Sequence, residues 1–412
     1  MNQARFVILG GGMVAGYAAK QMVELGLPSG ELAILSSDDA VPYERPPLSK
    51  GFLAGKDNEE SIRVNAADFY KQHGIELRLN CEVTALDVKR KRLMLKGDDE
   101  FAFQKLIVAT GARPRRLKVP GSQLQNLFYL RSLNDSKRIR AAADKAKRAV
   151  VIGGGFIGME VAAVLAQKGI EVAMVLSDDR IWKRVFTPEM SNFFEQYYAA
   201  RKVRIVKSSA VKELQGEITV HSAVLNGGQT VPCDLVVAGV GVEPAVELAS
   251  SAGLQVGDGI MVDEHLQSSD PDIYAAGDVA NYQDVLFGKR RRVEHWDNAV
   301  SQGQYCARFL MGEATPFKHV PYFFSDVFDL SYEYWGDSSS ADQVVHRGDI
   351  GSNSFSVWWL HQERVHAAFV MNRPDEERNT APNWIESAQR VSASKLADTS
   401  QPILTASSLA AA

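Results

Sequence analysis

Arg5-Phe-Val-Ile-Leu-Gly-Gly-Gly-Met-Val-Ala-Gly16 and Ala149-Val-Val-Ile-Gly-Gly-Gly-Phe-Ile-Gly158 are two versions of one design. Each is a short apolar, β-branched run, then Gly-x-Gly-x-x-Gly/Ala, then an Ala-rich stretch with helical patterning. A second apolar run follows each helix, at Glu31-Leu-Ala-Ile-Leu35 and Glu171-Val-Ala-Met-Val-Leu176. Strand, glycine-rich turn, helix, strand is the βαβ unit that binds dinucleotides. One such motif is weak evidence. Two, each after a strand and before a helix, predict two nucleotide domains.

The turns have a specific physics. Gly10 and Gly153 permit the tight exit from the strand. Gly12 and Gly155 let a pyrophosphate approach the backbone. Ala15 and Gly158 let the helix pack close to the sheet. The helix N-terminus then offers unpaired N–H groups and a partial positive charge to phosphate.

Working outward, Lys105-Leu-Ile-Val-Ala-Thr-Gly-Ala-Arg-Pro114 is a buried-type strand closed by a glycine turn and a proline stop. Cys233-Asp-Leu-Val-Val-Ala-Gly-Val-Gly-Val-Glu-Pro244 repeats it. The second nucleotide domain, residues 115–242, is therefore expected as an insertion between two parts of the first, 1–114 and 243–320. Ile273-Tyr-Ala-Ala-Gly-Asp-Val279 reads as a strand returning to the first domain. Beyond Pro321, Ser354-Phe-Ser-Val-Trp-Trp-Leu360 and Arg364-Val-His-Ala-Ala-Phe-Val370 flank a short polar turn and predict a β-hairpin. A third, α+β domain is expected over 321–412, with a loosely held Ser- and Ala-rich tail from about residue 391. The expected class is α/β, with two Rossmann-like dinucleotide-binding domains and a C-terminal α+β domain.

A chain of 412 residues has room for this arrangement. Its 46 Lys+Arg against 50 Asp+Glu give a formal net charge of −4. That excludes a dedicated nucleic-acid binder, which carries a large basic excess. The longest apolar stretch, Ala149 to Leu176, is broken by Glu160, Lys168 and Glu171, and a spanning helix needs about 20 apolar residues. No membrane span is expected. Three glycines in the apolar run after Arg5 argue against a secretory leader. Cys81, Cys233 and Cys306 lie far apart, with neither metal-site nor redox-motif spacing. A reducing, cytoplasmic setting without a bound metal is expected.

These motifs resemble the flavoproteins of the glutathione-reductase fold. Within them they are most similar to the branch of monodehydroascorbate reductases, putidaredoxin-reductase-type ferredoxin reductases and apoptosis-inducing factor. The resemblance runs over about residues 4–375. Its most specific piece is Pro42-Tyr-Glu-Arg-Pro-Pro-Leu-Ser-Lys50, which matches the branch's Arg-Pro-x-Leu-Ser-Lys signature. Ala109-Thr-Gly-Ala-Arg113, Ala275-Ala-Gly-Asp-Val279, Arg292-Val-Glu-His-Trp-Asp-Asn-Ala299 and Pro321-Tyr-Phe-Phe-Ser-Asp-Val-Phe-Asp-Leu330 add to it. The resemblance implies FAD in the first nucleotide domain, NADH or NADPH in the inserted one, and a C-terminal wall beside the flavin.

Roles follow residue by residue from that resemblance. Gly10, Gly12 and Ala15 cradle the FAD pyrophosphate, and Arg45 and Lys50 contact FAD with their positive charge. Asp278 bonds the ribityl chain, or caps a helix expected just after it. Ala109, Thr110, Gly111, Arg131 and Gly277 are further cofactor positions. The adenosine-ribose acid belongs near the end of the second strand. There stands Ser36-Ser37-Asp38-Asp39, with Asp38 the candidate. In the inserted domain Gly153, Gly155, Ile157, Gly158 and Gly241 line the nucleotide, and Asp178 is the acid for the ribose 2′-OH. A carboxylate there favours NADH, while Arg180, Lys183 and Arg184 are near enough in sequence to bind a 2′-phosphate. Phe156 and Glu160 occupy the nicotinamide side. Glu160 is expected in the first turn of its helix, favoured by the dipole and paired with Lys50. Glu294, His295, Trp296 and Phe324 are placed beside the flavin or nicotinamide, with His295 structural rather than a proton donor. Lys50, Glu160 and Trp296 are the candidate catalytic residues.

Disulfide reductases of this fold carry a cysteine pair beside the flavin. Pro42 to Gly55 has none, so electrons are expected to leave the flavin directly. The expected acceptor is a ferredoxin-type [2Fe–2S] protein or a small one-electron acceptor such as monodehydroascorbate. Val300 and Phe324 replace the Arg and Tyr that plant reductases offer their substrate, which opposes the second. Lys289-Arg-Arg-Arg292 is a candidate docking patch for an acidic ferredoxin; a loop of solvated charges is the alternative. A monomer or weak homodimer is expected. The rival reading is an apoptosis-inducing-factor-like binding flavoprotein with little turnover.

Overall fold

The computed structural model describes residues 2–407. The chain divides into two compact units: Met1–Arg45, Asn58–Arg113 and Val242–Pro321 form the first, and Pro46–Asp57, Pro114–Gly241 and Tyr322–Ala412 the second.

In the first unit, β1 (Gln3–Leu9) ends in four consecutive buried residues, Phe6 to Leu9. Such a run marks a strand covered on both faces. α1 (Met13–Glu24) buries Ala15, Gly16, Ala18 and Ala19, and these small residues keep the helix close to its neighbours. β2 (Leu32–Leu35) and β3 (Glu100–Val108) flank β1 in parallel, with Phe6 opposite both Leu32 and Lys105. Glu76–Arg78 extends the sheet beyond β2 in parallel, and the antiparallel strands Arg92–Leu95 and Val83–Asp87 extend it beyond β3. Ile273–Ala275 returns from far along the chain to pair in parallel with the last residues of β3. The helix Trp296–Leu310 packs on α1.

The second unit repeats the scheme. β4 (Arg148–Ile152), α2 (Phe156–Gln167) and β5 (Glu171–Val175) form its βαβ start. α3 (Pro188–Ala200) begins with the Thr187 hydroxyl accepting from the Met190 N–H and with Pro at its first position. With β6 (Leu235–Ala238), the sheet runs Val203–Val206, β5, β4, β6, Leu127–Phe128, all parallel. The C-terminal segment of this unit is a five-stranded antiparallel sheet that opens with β7 (Tyr322–Val327) and β8 (Leu330–Gly336). Its hairpin pairs Ser354–His361 with Arg364–Met371. Gln362 and Glu363 turn it at φ 50° and 63°, as a two-residue primed turn requires.

The segment beyond residue 391 differs from expectation. Leu396, Ile403 and Ala406 are buried, and the buried Arg347 guanidinium donates to the carbonyls of Leu396, Asp398 and Gln401. Spaced apolar side chains, and a buried cation that needs acceptors, outweigh the polar composition. Residues 408–412 of the expected tail lie outside the described residues.

Candidate functional site

The two glycine turns separate what the chain requires from what it leaves open. Gly10 (φ 122°) and Gly153 (φ 111°) lie where only glycine is relaxed, and a Cβ on them would strike the carbonyls of Ala109 and Gly239. Gly12 and Gly155 have φ −85° and −87°, which any residue adopts. A Cβ at Gly155 would meet nothing within 4 Å, and at Gly12 only the Arg45 guanidinium at 3.8 Å. Both are N-caps without a side-chain cap, where Ser, Asp or Asn would normally satisfy the first N–H groups. Neither strain nor packing calls for glycine there. The open space and free helix N–H groups fit a phosphate-bearing nucleotide at both turns.

Around the first turn, the Tyr43 hydroxyl donates to Asp38 at 2.9 Å, and the Tyr43 ring lies 5.4 Å from the Arg45 guanidinium. The buried Ser36 hydroxyl accepts from the Asp38 N–H, so the serine at the strand end shapes the turn that carries the acid. Thr110 donates to the Ala245 carbonyl, and the N–H of Gly277 donates to Gln302. Sequence reasoning missed Glu44. Its carboxylate accepts from the Tyr17 hydroxyl (2.5 Å) and from the Trp296 indole N–H, which fixes that ring at the start of its helix. Its place between Tyr43 and Arg45 in the signature was the available signal.

Two expectations for this unit change. Asp278 caps no helix: it lies in the single 3₁₀ turn Gly277–Val279, and the strand Ala280–Asp284 follows. Lys289–Arg292 is not a loop of solvated charges. Arg290 donates to the carbonyls of Val262 and Asn281, Arg291 pairs with Asp284, and Arg292 pairs with Asp258 (3.1 Å) and Glu294 (2.5 Å). The hairpin strand Lys289–Arg291 turns these charges towards internal acceptors. His295 precedes the helix Trp296–Leu310, and burial holds its imidazole at about 4 against the pull of Asp278 and Asp297. Between pH 6.5 and 4 the unfolded chain therefore takes up a proton that the folded chain refuses. Stability should fall as pH drops through that window. Urea midpoints at pH 7 and 4.5 should show a smaller drop for His295→Gln, by up to one proton's worth of slope. Equal drops would clear His295.

In the second unit, Glu160 is the fifth residue of α2, one turn further in than expected, and only 5% exposed. The dipole has faded there, and side chains hold the carboxylate instead. It accepts from Ser325 at 2.6 Å and from Ser49, and it pairs with the Lys50 ammonium at 3.3 Å. Lys50 also reaches Asp326 at 3.5 Å and lies 4.2 Å from the Phe324 ring centre. A buried ion pair is tolerable only when its remaining lone pairs are satisfied, and the two buried serines do this. Both stand in motifs that the sequence singles out, yet neither was assigned. Phe156 opens α2 and packs edge-on against Trp182 (3.8 Å) and Phe323 (4.2 Å). Asp178 is exposed after β5, Ile157 is exposed on α2, and Gly241 has φ 95°. The Arg131 N–H donates to Asp135 at the start of the helix Leu133–Ala143.

The family model described as pyridine nucleotide-disulphide oxidoreductase matches residues 4–303. The chain belongs to this family. A second model, described as reductase C-terminal, matches residues 322–406. A peroxisomal monodehydroascorbate reductase of Arabidopsis thaliana is 37% identical over 91% of this chain and 80% of its own length. A putidaredoxin reductase of Pseudomonas putida is 34% identical over 98% and 97%. The solved ferredoxin reductase of Rhodopseudomonas palustris superposes with a TM-score of 0.94 at 34% identity, over 99% of this chain and all of its own. A solved putidaredoxin reductase–putidaredoxin complex gives 0.93 at 33%, over 97% of each. This pyridine nucleotide-disulphide oxidoreductase is thus a flavin- and nicotinamide-dependent reductase. The disulphide of the family name has no counterpart in it. All three cysteines are free; burial pushes the thiols of Cys233 and Cys306 up to about 12 and raises that of Cys81, which keeps them protonated and poorly nucleophilic. Among the described residues, no helix is long and apolar enough to cross a membrane, and no group of three His, Cys, Asp or Glu could hold a metal.

Proposed function

We propose that the enzyme moves electrons from NADH through FAD to a ferredoxin-type [2Fe–2S] protein. Bound FAD accepts a hydride from reduced nicotinamide and gives electrons up singly. Residues 1–114 with 243–320 hold FAD: Gly10, Gly12 and Ala15 admit its pyrophosphate, Arg45 answers the phosphate charge, Asp38 takes the ribose, and Asp278 takes the ribityl chain. Residues 115–242 hold NADH at Gly153, Gly155 and Gly158, with Asp178 on the ribose and Phe156 on the nicotinamide side. Residues 321–412 supply Phe324 beside the flavin. Lys50, held in place by Glu160, provides the positive charge that favours a reduced flavin, and Trp296, anchored by Glu44, provides an aromatic face.

The observation that carries this reading is the buried Lys50–Glu160 pair with its two serine donors. It stands in the segment where disulfide reductases of this fold keep their cysteines, and so supports direct electron exit. Phe324 lies against Lys50 and Val300 is buried. Neither offers the charge or hydroxyl that a radical anion such as monodehydroascorbate calls for, and this favours a protein acceptor. The test is stopped-flow reduction by NADH followed by reoxidation with a [2Fe–2S] ferredoxin or with the ascorbate radical. The ferredoxin should reoxidise the flavin at least about tenfold faster, a discrimination worth roughly 1.4 kcal/mol. The opposite order would assign the small radical instead.

A further inference from the structure

We propose that Asp179 sets the choice between the two nicotinamide nucleotides, by withholding the cations that a 2′-phosphate would need. The inference rests on the reading of the second glycine turn as the NADH site. The loop after β5 lies on that turn: the Trp182 N–H donates to the Gly154 carbonyl at 3.2 Å, and a Cβ on Gly154 would stand 3.5 Å from the Ile181 side chain. Ser177, Asp178 and Asp179 are exposed there. The main chain of Asp178 is pinned by the Ser208 N–H at 2.9 Å.

The loop carries two acids and three cations, of which Asp179 engages two, Arg180 and Lys183, while Arg184 is exposed and makes no ion pair among the described residues. One oxygen of Asp179 lies 3.1 Å from the Lys183 ammonium and 3.8 Å from the Arg180 guanidinium. Arg180 is further tied down by donating to the Lys183 carbonyl at 3.3 Å. Lys183 holds the Asp179 carboxyl below the usual carboxylate range, so it stays ionised. The Asp178 carboxylate makes no hydrogen bond or ion pair among the described residues, and only its main-chain carbonyl is engaged. An acid left unengaged beside the turn suits two ribose hydroxyls. A dianionic phosphate would meet that acid and find Arg180 and Lys183 already bound to another. The selectivity therefore has two parts, one carboxylate that repels and one that competes.

The test is calorimetric titration of the flavin-loaded protein with NAD+ and NADP+, for wild type, Asp179→Asn and Asp179→Glu. Releasing two surface cations should raise NADP+ affinity about tenfold in Asp179→Asn. NAD+ affinity should change less than about twofold, and Asp179→Glu should behave as wild type. The gain should shrink as salt is raised from 50 to 500 mM, since exposed charges are screened; a mere loosening of the loop would show no such dependence. An unchanged NADP+ to NAD+ ratio in Asp179→Asn, or equal changes for both nucleotides, overturns the inference alone. A wild-type protein that binds neither nucleotide removes the reading beneath it.

Discussion

Gly12→Val is expected to give a folded protein that carries no flavin. The backbone at Gly12, φ −85° and ψ −161°, is comfortable for a β-branched residue. The only atom a new Cβ would approach is the end of the Arg45 side chain, at 3.8 Å. The fold has no reason to fail, since an apolar N-cap costs about 1 kcal/mol. The valine would instead fill the space over the first N–H groups of α1 and shut out phosphate. Gly10→Val is the contrasting case. At φ 122° and against the Ala109 carbonyl, its side chain meets strain and collision at once, and the protein should be lost to unfolding. Absorbance of the purified proteins gives flavin per chain, and circular dichroism reports the fold. A Gly12→Val protein with one flavin per chain would remove the first glycine turn from the cofactor site.

The contrast between Gly10 and Gly12 also marks what the sequence could and could not tell. Both glycine turns and their flanking strands were readable because their determinants are local: apolar runs, helical periodicity and glycine at fixed spacing. Asp38 and Asp178 were assigned as candidates by counting from a strand end, which is equally local. Membership of the segment Pro46–Asp57 was not readable. It belongs to the second unit because the Leu48 carbonyl accepts from Ser136 and the Phe52 carbonyl from Arg140. Those partners lie 88 residues away in the chain. The run Lys289–Arg292 looked like surface charge for the same reason. Its acceptors Asp258 and Val262 stand across a strand that no short motif announces. The pairing of Glu160 with Lys50 was legible, yet its place in the helix was read a turn early, because helix starts are uncertain by a residue or two. The serines that hold it come from two distant segments.

Those serines decide the second large effect. Lys50→Met should slow flavin reduction by NADH about 100-fold, the scale of removing one preorganised charge from a reaction centre, while flavin content stays near one per chain. The same change leaves Glu160 buried with two hydroxyl donors and no cation, which should cost about 3 kcal/mol of stability. Both losses follow from one substitution, so slow turnover alone does not separate a charge that acts on the flavin from one that merely holds the fold. The double variant Lys50→Met, Glu160→Gln separates them. Ser49 and Ser325 sit on different oxygens of Glu160, so a neutral Gln can accept from one hydroxyl through its carbonyl and donate its amide N–H to the other, and the unpaired buried charge is gone. Stability should return most of the way to wild type, read as a urea midpoint. The rate should stay low, because the positive charge has not been restored. If rate and stability recover together in the double variant, Lys50 serves the fold alone, and the electrostatic role belongs elsewhere in the site.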